Sequence, residues 1–135
     1  MERYYGYGLS NAWLGDEDQG QMSAWFIMAS LGLFQTDGGC RVEPVYEIAS
    51  PLYQKVEIYL GNQYGRGDKF IIEARNASRK NKYVQSAVLN AKPLESFQFP
   101  ANELLKGGSL VLEMGPEPNY KWGTSTPSPS MTTNR

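Results

Sequence analysis

The chain has 135 residues, 41% of them hydrophobic, which suffices for one globular unit with a real core and is too little for two ordinary ones. Thirteen basic residues nearly balance fourteen acidic ones, and neither sign forms the long block that would follow a nucleic acid or an anionic membrane surface. Histidine is absent, which removes the Ser-His and Cys-His nucleophiles and the commonest zinc ligand, so any catalysis must be run by carboxylates.

In chain order, Met1-Glu2-Arg3-Tyr4-Tyr5 lacks the apolar core of a secretory signal. No later run reaches the apolar length needed to span a bilayer. Tyr4, Tyr5, Tyr7 and Trp13 lie among glycines, the composition of a protein interior, as expected where a chain is a piece of something larger.

The stretch Gly15-Asp16-Glu17-Asp18-Gln19-Gly20 places three consecutive carboxylates just before an apolar segment. One reading is helix capping, in which an aspartate accepts from exposed amides and negative charge suits the helix dipole. That accounts for Asp18 and leaves the other two unexplained. Adjacent carboxylates repel, which raises some of their pKa values unless a cation or hydrogen-bond donors compensate. A bound cation or acid-base work is therefore the other reading. An EF-hand is excluded, because Ile27 stands where its bidentate glutamate belongs.

Gln21 to Leu31 is the one long helix expected, since Met22, Trp25, Phe26 and Ala29 recur at helical spacing and Gly32 follows as a C-terminal cap. Ile27, Met28 and Leu31 make its other side apolar as well. Such a helix is buried all round, and no second helix in this sequence could cover it. Cys40, the only cysteine, cannot close an internal disulfide, and among Gly38, Gly39 and Arg41 it reads as a spectator thiol in a loop.

From Val45 the period changes to two. Strands are expected at Val45 to Ile48, Lys55 to Leu60, Lys69 to Ala74, Tyr83 to Leu89 and Ser109 to Met114, with one helical turn at Glu103 to Lys106. Turn residues separate them at Gly61-Asn62, Gly65-Arg66-Gly67-Asp68, Asn76-Ala77-Ser78 and Asn90-Ala91-Lys92-Pro93. Arg66-Gly67-Asp68 reads as a hairpin turn rather than an adhesion motif. Asn76-Ala77-Ser78 fits both a turn and a glycosylation acceptor. The fold expected is mainly β: an antiparallel sheet or small sandwich preceded by one buried helix. Three parts are expected: residues 1–44 with the acidic motif, a β unit over 45–123, and a disordered tail over 124–135, which is Ser, Thr and Pro with little to bury.

Gly15 to Trp25, followed by Ser30-Leu31-Gly32-Leu33-Phe34, resembles the signature of the alpha-mannosidases of glycoside hydrolase family 92. Ile48-Ala49-Ser50-Pro51-Leu52, Asn81 to Ala87, Leu89 to Leu94, Gly107-Gly108-Ser109-Leu110 and Met114 to Asn119 follow in the family's order. The resemblance implies that Gln21 to Leu31 is a late helix of an (α/α)6 barrel and that the β unit packs back against that barrel. It further implies calcium-dependent, inverting hydrolysis of terminal alpha-mannosides, alpha-1,2 linkages among them, in an enzyme that is typically periplasmic or secreted in bacteria. An inverting mechanism needs an acid and a base roughly 6.5 to 9.5 Å apart. By resemblance Asp16 and Asp18 form the base side, with Asp18 the direct base and Glu17 pointing elsewhere. The family's acid, a glutamate, lies upstream of the match and is not in this chain. The expected partners are alpha-mannoside glycans and the rest of the barrel, and the isolated chain is expected to be inactive. Ala91 stands where the family commonly has glycine, which suggests a different turn at Asn90. The alternative is a carbohydrate-binding β module without catalysis, which the aromatic content permits.

Overall fold

The computed structural model describes residues 18–125. The expectations for residues 1–17, Asp16 among them, and for 126–135 lie outside the described residues. A 3-10 turn at Asp18–Gly20 leads into α1 (Gln21–Leu31), and Gly32 ends that helix at φ 74°. The Gly32 N–H donates to Ala29 O at 3.1 Å, as a left-handed C-cap requires. A Cβ at Gly32 would lie 2.7 Å from the Pro51 ring, so glycine serves both the turn and the approach of the following loop. That loop is seated on the helix end: Ala49 N–H donates to Gly32 O and Leu52 N–H to Ser30 O.

Two sheets follow. The smaller has the order β1 (Leu33–Phe34), β2 (Val45–Ile48), β7 (Gln98–Pro100), all antiparallel. The larger has the order β3 (Lys55–Tyr59), β4 (Lys69–Arg75), β8 (Gly108–Gly115), β5 (Tyr83–Leu89), β6 (Lys92–Leu94). A short helix, α2 (Ala101–Leu105), stands in place of the expected single turn and links β7 to β8.

Alternation sets which side chains face inward. Phe70, Ile72 and Ala74 of β4, and Leu110, Leu112 and Met114 of β8, are buried, while their neighbours in sequence, Gly115 at the strand end apart, are not. Leu33, Ile48 and Phe99 of the smaller sheet meet them, and the Phe70 and Phe99 rings stack at 6.2 Å between centroids. One core thus fills the space between the sheets, and Met28 and Leu31 of α1 lean on it.

The mainly β architecture agrees with the expectation, with one correction to the antiparallel reading. β4 and β8 pair in parallel, Ile72 opposite Leu110 and Ala74 opposite Leu112. Parallel neighbours require a long crossover, and everything from Asn76 to Gly107 supplies it before β8 slots between β4 and β5. The short strands β1, β6 and β7 were also not expected.

Arg66-Gly67-Asp68 lies in the connection between β3 and β4, where Leu60 N–H donates to Asp68 O and Gly67 N–H to Leu105 O. A Cβ on Gly67 would stand 2.1 Å from Lys106 O. Glycine is there for close backbone approach.

The turn at Asn90 differs from expectation. Asn90 (φ 48°) and Ala91 (φ 63°) are both left-handed, and Leu89 pairs directly with Lys92. This two-residue loop has the conformation that favours Asn-Gly, so Ala91 keeps the glycine-type turn rather than replacing it. The strain should be measurable: Ala91→Gly is expected to raise stability by about 1 kcal/mol, read as a higher denaturant midpoint at unchanged slope. An unchanged or lowered midpoint would show that Ala91 is relaxed there.

Candidate functional site around helix α1

The acidic motif ends where the described structure begins. Of Asp18 the description covers the backbone alone. Gln19 (φ 58°) and Gly20 (φ 81°) follow it in two successive left-handed conformations, so the chain turns sharply before entering α1. The N-cap position belongs to Gly20, which has no side chain, and no acidic residue occupies the first helical turn. The positive end of the α1 dipole thus lies at Gly20, two residues after Asp18 along the chain.

The helix is not enclosed by this chain. Only Ser30 is buried, and Ile27 is 57% exposed although nothing on α1 is charged. Between α1 and the small sheet runs an open, mainly apolar cleft of about 320 Å³, lined by Ala24, Trp25 and Met28 of the helix and by Phe34 and Tyr46 of the strands. Phe34 was missed in the sequence because β1 is only two residues long and shows no period of its own, whereas Tyr46 lies in the expected strand β2 and reaches the cleft only because α1 packs beside it.

A second groove of about 300 Å³ borders β5 and β6, with Ser86, Leu94, Lys121 and Trp122 on its walls. Its polar groups are committed to holding the C-terminal segment. Trp122 Nε1 donates to Leu94 O at 2.8 Å, Asn119 Nδ2 to Gln85 O at 2.8 Å, and Gln85 Nε2 to Glu117 O at 2.8 Å. Thr124 bridges to Ser96, and Ser125 Oγ donates to Glu95 O.

The carboxylates with lowered pKa, Asp37, Glu57 and Glu103, line neither place. Lys55, with Lys69 and Tyr59 adding, pulls Glu57 down to about 2 on the exposed face of β3. The Gly39 N–H, 2.9 Å from Asp37 Oδ1, holds that carboxyl below its ordinary value, and Arg41 adds to the effect. Each is stabilised as the anion by its neighbours, the opposite of a proton donor held ready for use. Among the described residues no group of three or more His, Cys, Asp or Glu could hold a metal ion. No calcium ligand is assigned among them.

Residues 1–116 match the family model of the Glycosyl hydrolase family 92 catalytic domain. The chain belongs to glycoside hydrolase family 92. A protein called an uncharacterized secreted glycosidase, from Arthroderma benhamiae, is 31% identical over 112 residues, covering 82% of this chain and 14% of that protein. The family 92 inverting mannosidase of Bacteroides thetaiotaomicron superposes at a TM-score of 0.76 with 33% identity, covering 92% of this chain and 16% of that one. A second family 92 alpha-mannosidase of the same organism, solved with mannoimidazole, gives a TM-score of 0.81 at 29% identity, over 96% of this chain and 16% of the other. The chain thus spans about one sixth of the family 92 structures it matches. Among the described residues no helix is long and apolar enough to cross a membrane.

Proposed function

We propose that this chain is the base-side and C-terminal β portion of an exo-acting alpha-mannosidase that cleaves terminal alpha-mannosides with inversion, alpha-1,2 linkages among them. The observation that carries the reading is the match of residues 1–116 to a catalytic domain, acidic motif and β unit together. A free-standing carbohydrate-binding module accounts for the sheets and leaves the motif and the half-covered helix without a purpose.

In the complete enzyme Asp16 and Asp18 activate the attacking water, and the acid is a glutamate contributed by the polypeptide upstream. Inversion requires the base to take a proton from water on the face opposite the leaving oxygen. The start of α1 favours that role, since the positive end of the helix dipole lies only two residues after Asp18 along the chain and stabilises an ionised carboxylate nearby. Calcium is the cation proposed for the complete enzyme. The exposed apolar side of α1, with Ile27 and the cleft at Trp25 and Met28, is the surface that the remainder of the barrel covers. Secretion is proposed as well, on the description of the Arthroderma relative.

The isolated chain is expected to be inactive, because the acid is missing and positioning supplies much of an enzyme's rate. Calcium-dependent release of an aryl alcohol from an aryl alpha-mannoside by the purified chain, above a no-enzyme blank, would overturn this division of the site.

A further inference from the structure

We propose that Asn76 is an N-glycan acceptor in this chain when it passes through a secretory compartment that glycosylates asparagine. Asn76-Ala77-Ser78 is the only Asn-X-Ser/Thr sequence, X not proline, in all 135 residues. Sequence leaves open whether such a triplet is buried in a strand or presented to solvent. Here it forms the turn that closes β4: Asn76 has φ 61°, and Ala77 N–H donates back to Ala74 O. Asn76 and Ser78 are both exposed, and no buried core residue lies within the triplet.

The acceptor amide is already engaged in a way that modification leaves intact. Asn76 Nδ2 donates one hydrogen to Glu113 Oε1 at 2.6 Å on the outward-facing side of β8. An amide nitrogen has two hydrogens and a glycosylated one keeps one, so the glycan replaces the free hydrogen while the bond to Glu113 persists. The turn is held independently by Asn81, whose Nδ2 donates to Asn76 O and whose N–H donates to Ser78 Oγ. The folded chain therefore carries a bulky substituent here without losing a contact.

In the step itself Asn76 Nδ2 bonds to C1 of the first sugar of a polyprenyl-diphosphate-linked oligosaccharide. The C1–O bond to the diphosphate breaks, polyprenyl diphosphate departs with that electron pair, and the amide proton passes to the transferring enzyme's base. The inference rests on the secretion proposed above, so the test supplies a leader and separates the two readings. The chain is fused to a secretion leader, produced in a eukaryotic secretory host, and recovered from the medium for intact-mass measurement with and without an endoglycosidase. The expected result is a mass increase of one N-linked oligosaccharide that the endoglycosidase removes. It should be lost completely in Ser78→Ala and in Asn76→Gly, which tolerates the left-handed turn, and retained in Ser78→Thr. Unmodified chain in the medium, or a glycan that survives Ser78→Ala, would overturn the proposal. Whether the natural chain reaches that compartment is read separately, by finding it outside the cells of its own source.

Discussion

Asp18→Asn in the full-length enzyme is expected to lower kcat by about a hundred-fold to ten-thousand-fold, the usual cost of a lost general base, with an unchanged melting temperature. The structure sharpens the second half of that expectation. A lost helix cap costs about 1 kcal/mol, but the N-cap position of α1 is held by Gly20. Asparagine accepts from helix amides about as well as aspartate does, so Asp18→Asn removes the base without removing an acceptor, and a stability loss should not accompany the loss of rate. Asp16→Asn should lower turnover too, and the double variant should be little worse than the poorer single one, because groups that act as one unit are strongly non-additive. Glu17→Gln should be mild. Near-normal turnover in Asp18→Asn together with a lower melting temperature would assign Asp18 a structural role instead.

Phe70→Ala is expected to cost about 3 to 5 kcal/mol, the range for truncating a fully buried aromatic side chain. Phe70 has no exposed surface, and its ring stacks on Phe99 across the gap between the sheets. Its removal opens a cavity where the two sheets meet, and neither sheet can close it alone. The ladder partners are fixed by backbone bonds: Phe70 pairs with Ile58 on one side and with Gly108 on the other. In the chain itself this should appear as a large drop in the urea midpoint at nearly unchanged slope. A loss under about 1 kcal/mol would mean that the site collapses around the vacancy and that the sheets are coupled elsewhere.

The elements with a strong local signal were legible in the sequence. Gln21 to Leu31 ends where Gly32 supplies a left-handed residue, and β2, β3, β4, β5 and β8 lie where period two places their inward faces. Phe70, Ile72 and Ala74 could be assigned to one face of β4 by alternation alone. The family, too, was legible, because the motifs from Gly15 to Asn119 keep their order along the chain.

What tertiary structure decided is which surfaces meet. Alternation tells a strand which side chains face inward and nothing about its neighbour, so only the fold places β8 between β4 and β5, parallel to the first. Strands of two or three residues such as β1 and β6 have no period to read and exist through the ladders they join. Ala91 is forced into a left-handed conformation because the Leu89–Lys92 pairing fixes the turn, and the hairpin outweighs the residue's own preference. Gly67 looked like part of a surface string and proved to be the point where two backbones touch, a steric fact that no residue type carries in its spacing. The N-cap position of α1 falls on Gly20 because Gln19 and Gly20 both turn left-handed before the helix begins at Gln21, a path that the composition does not announce.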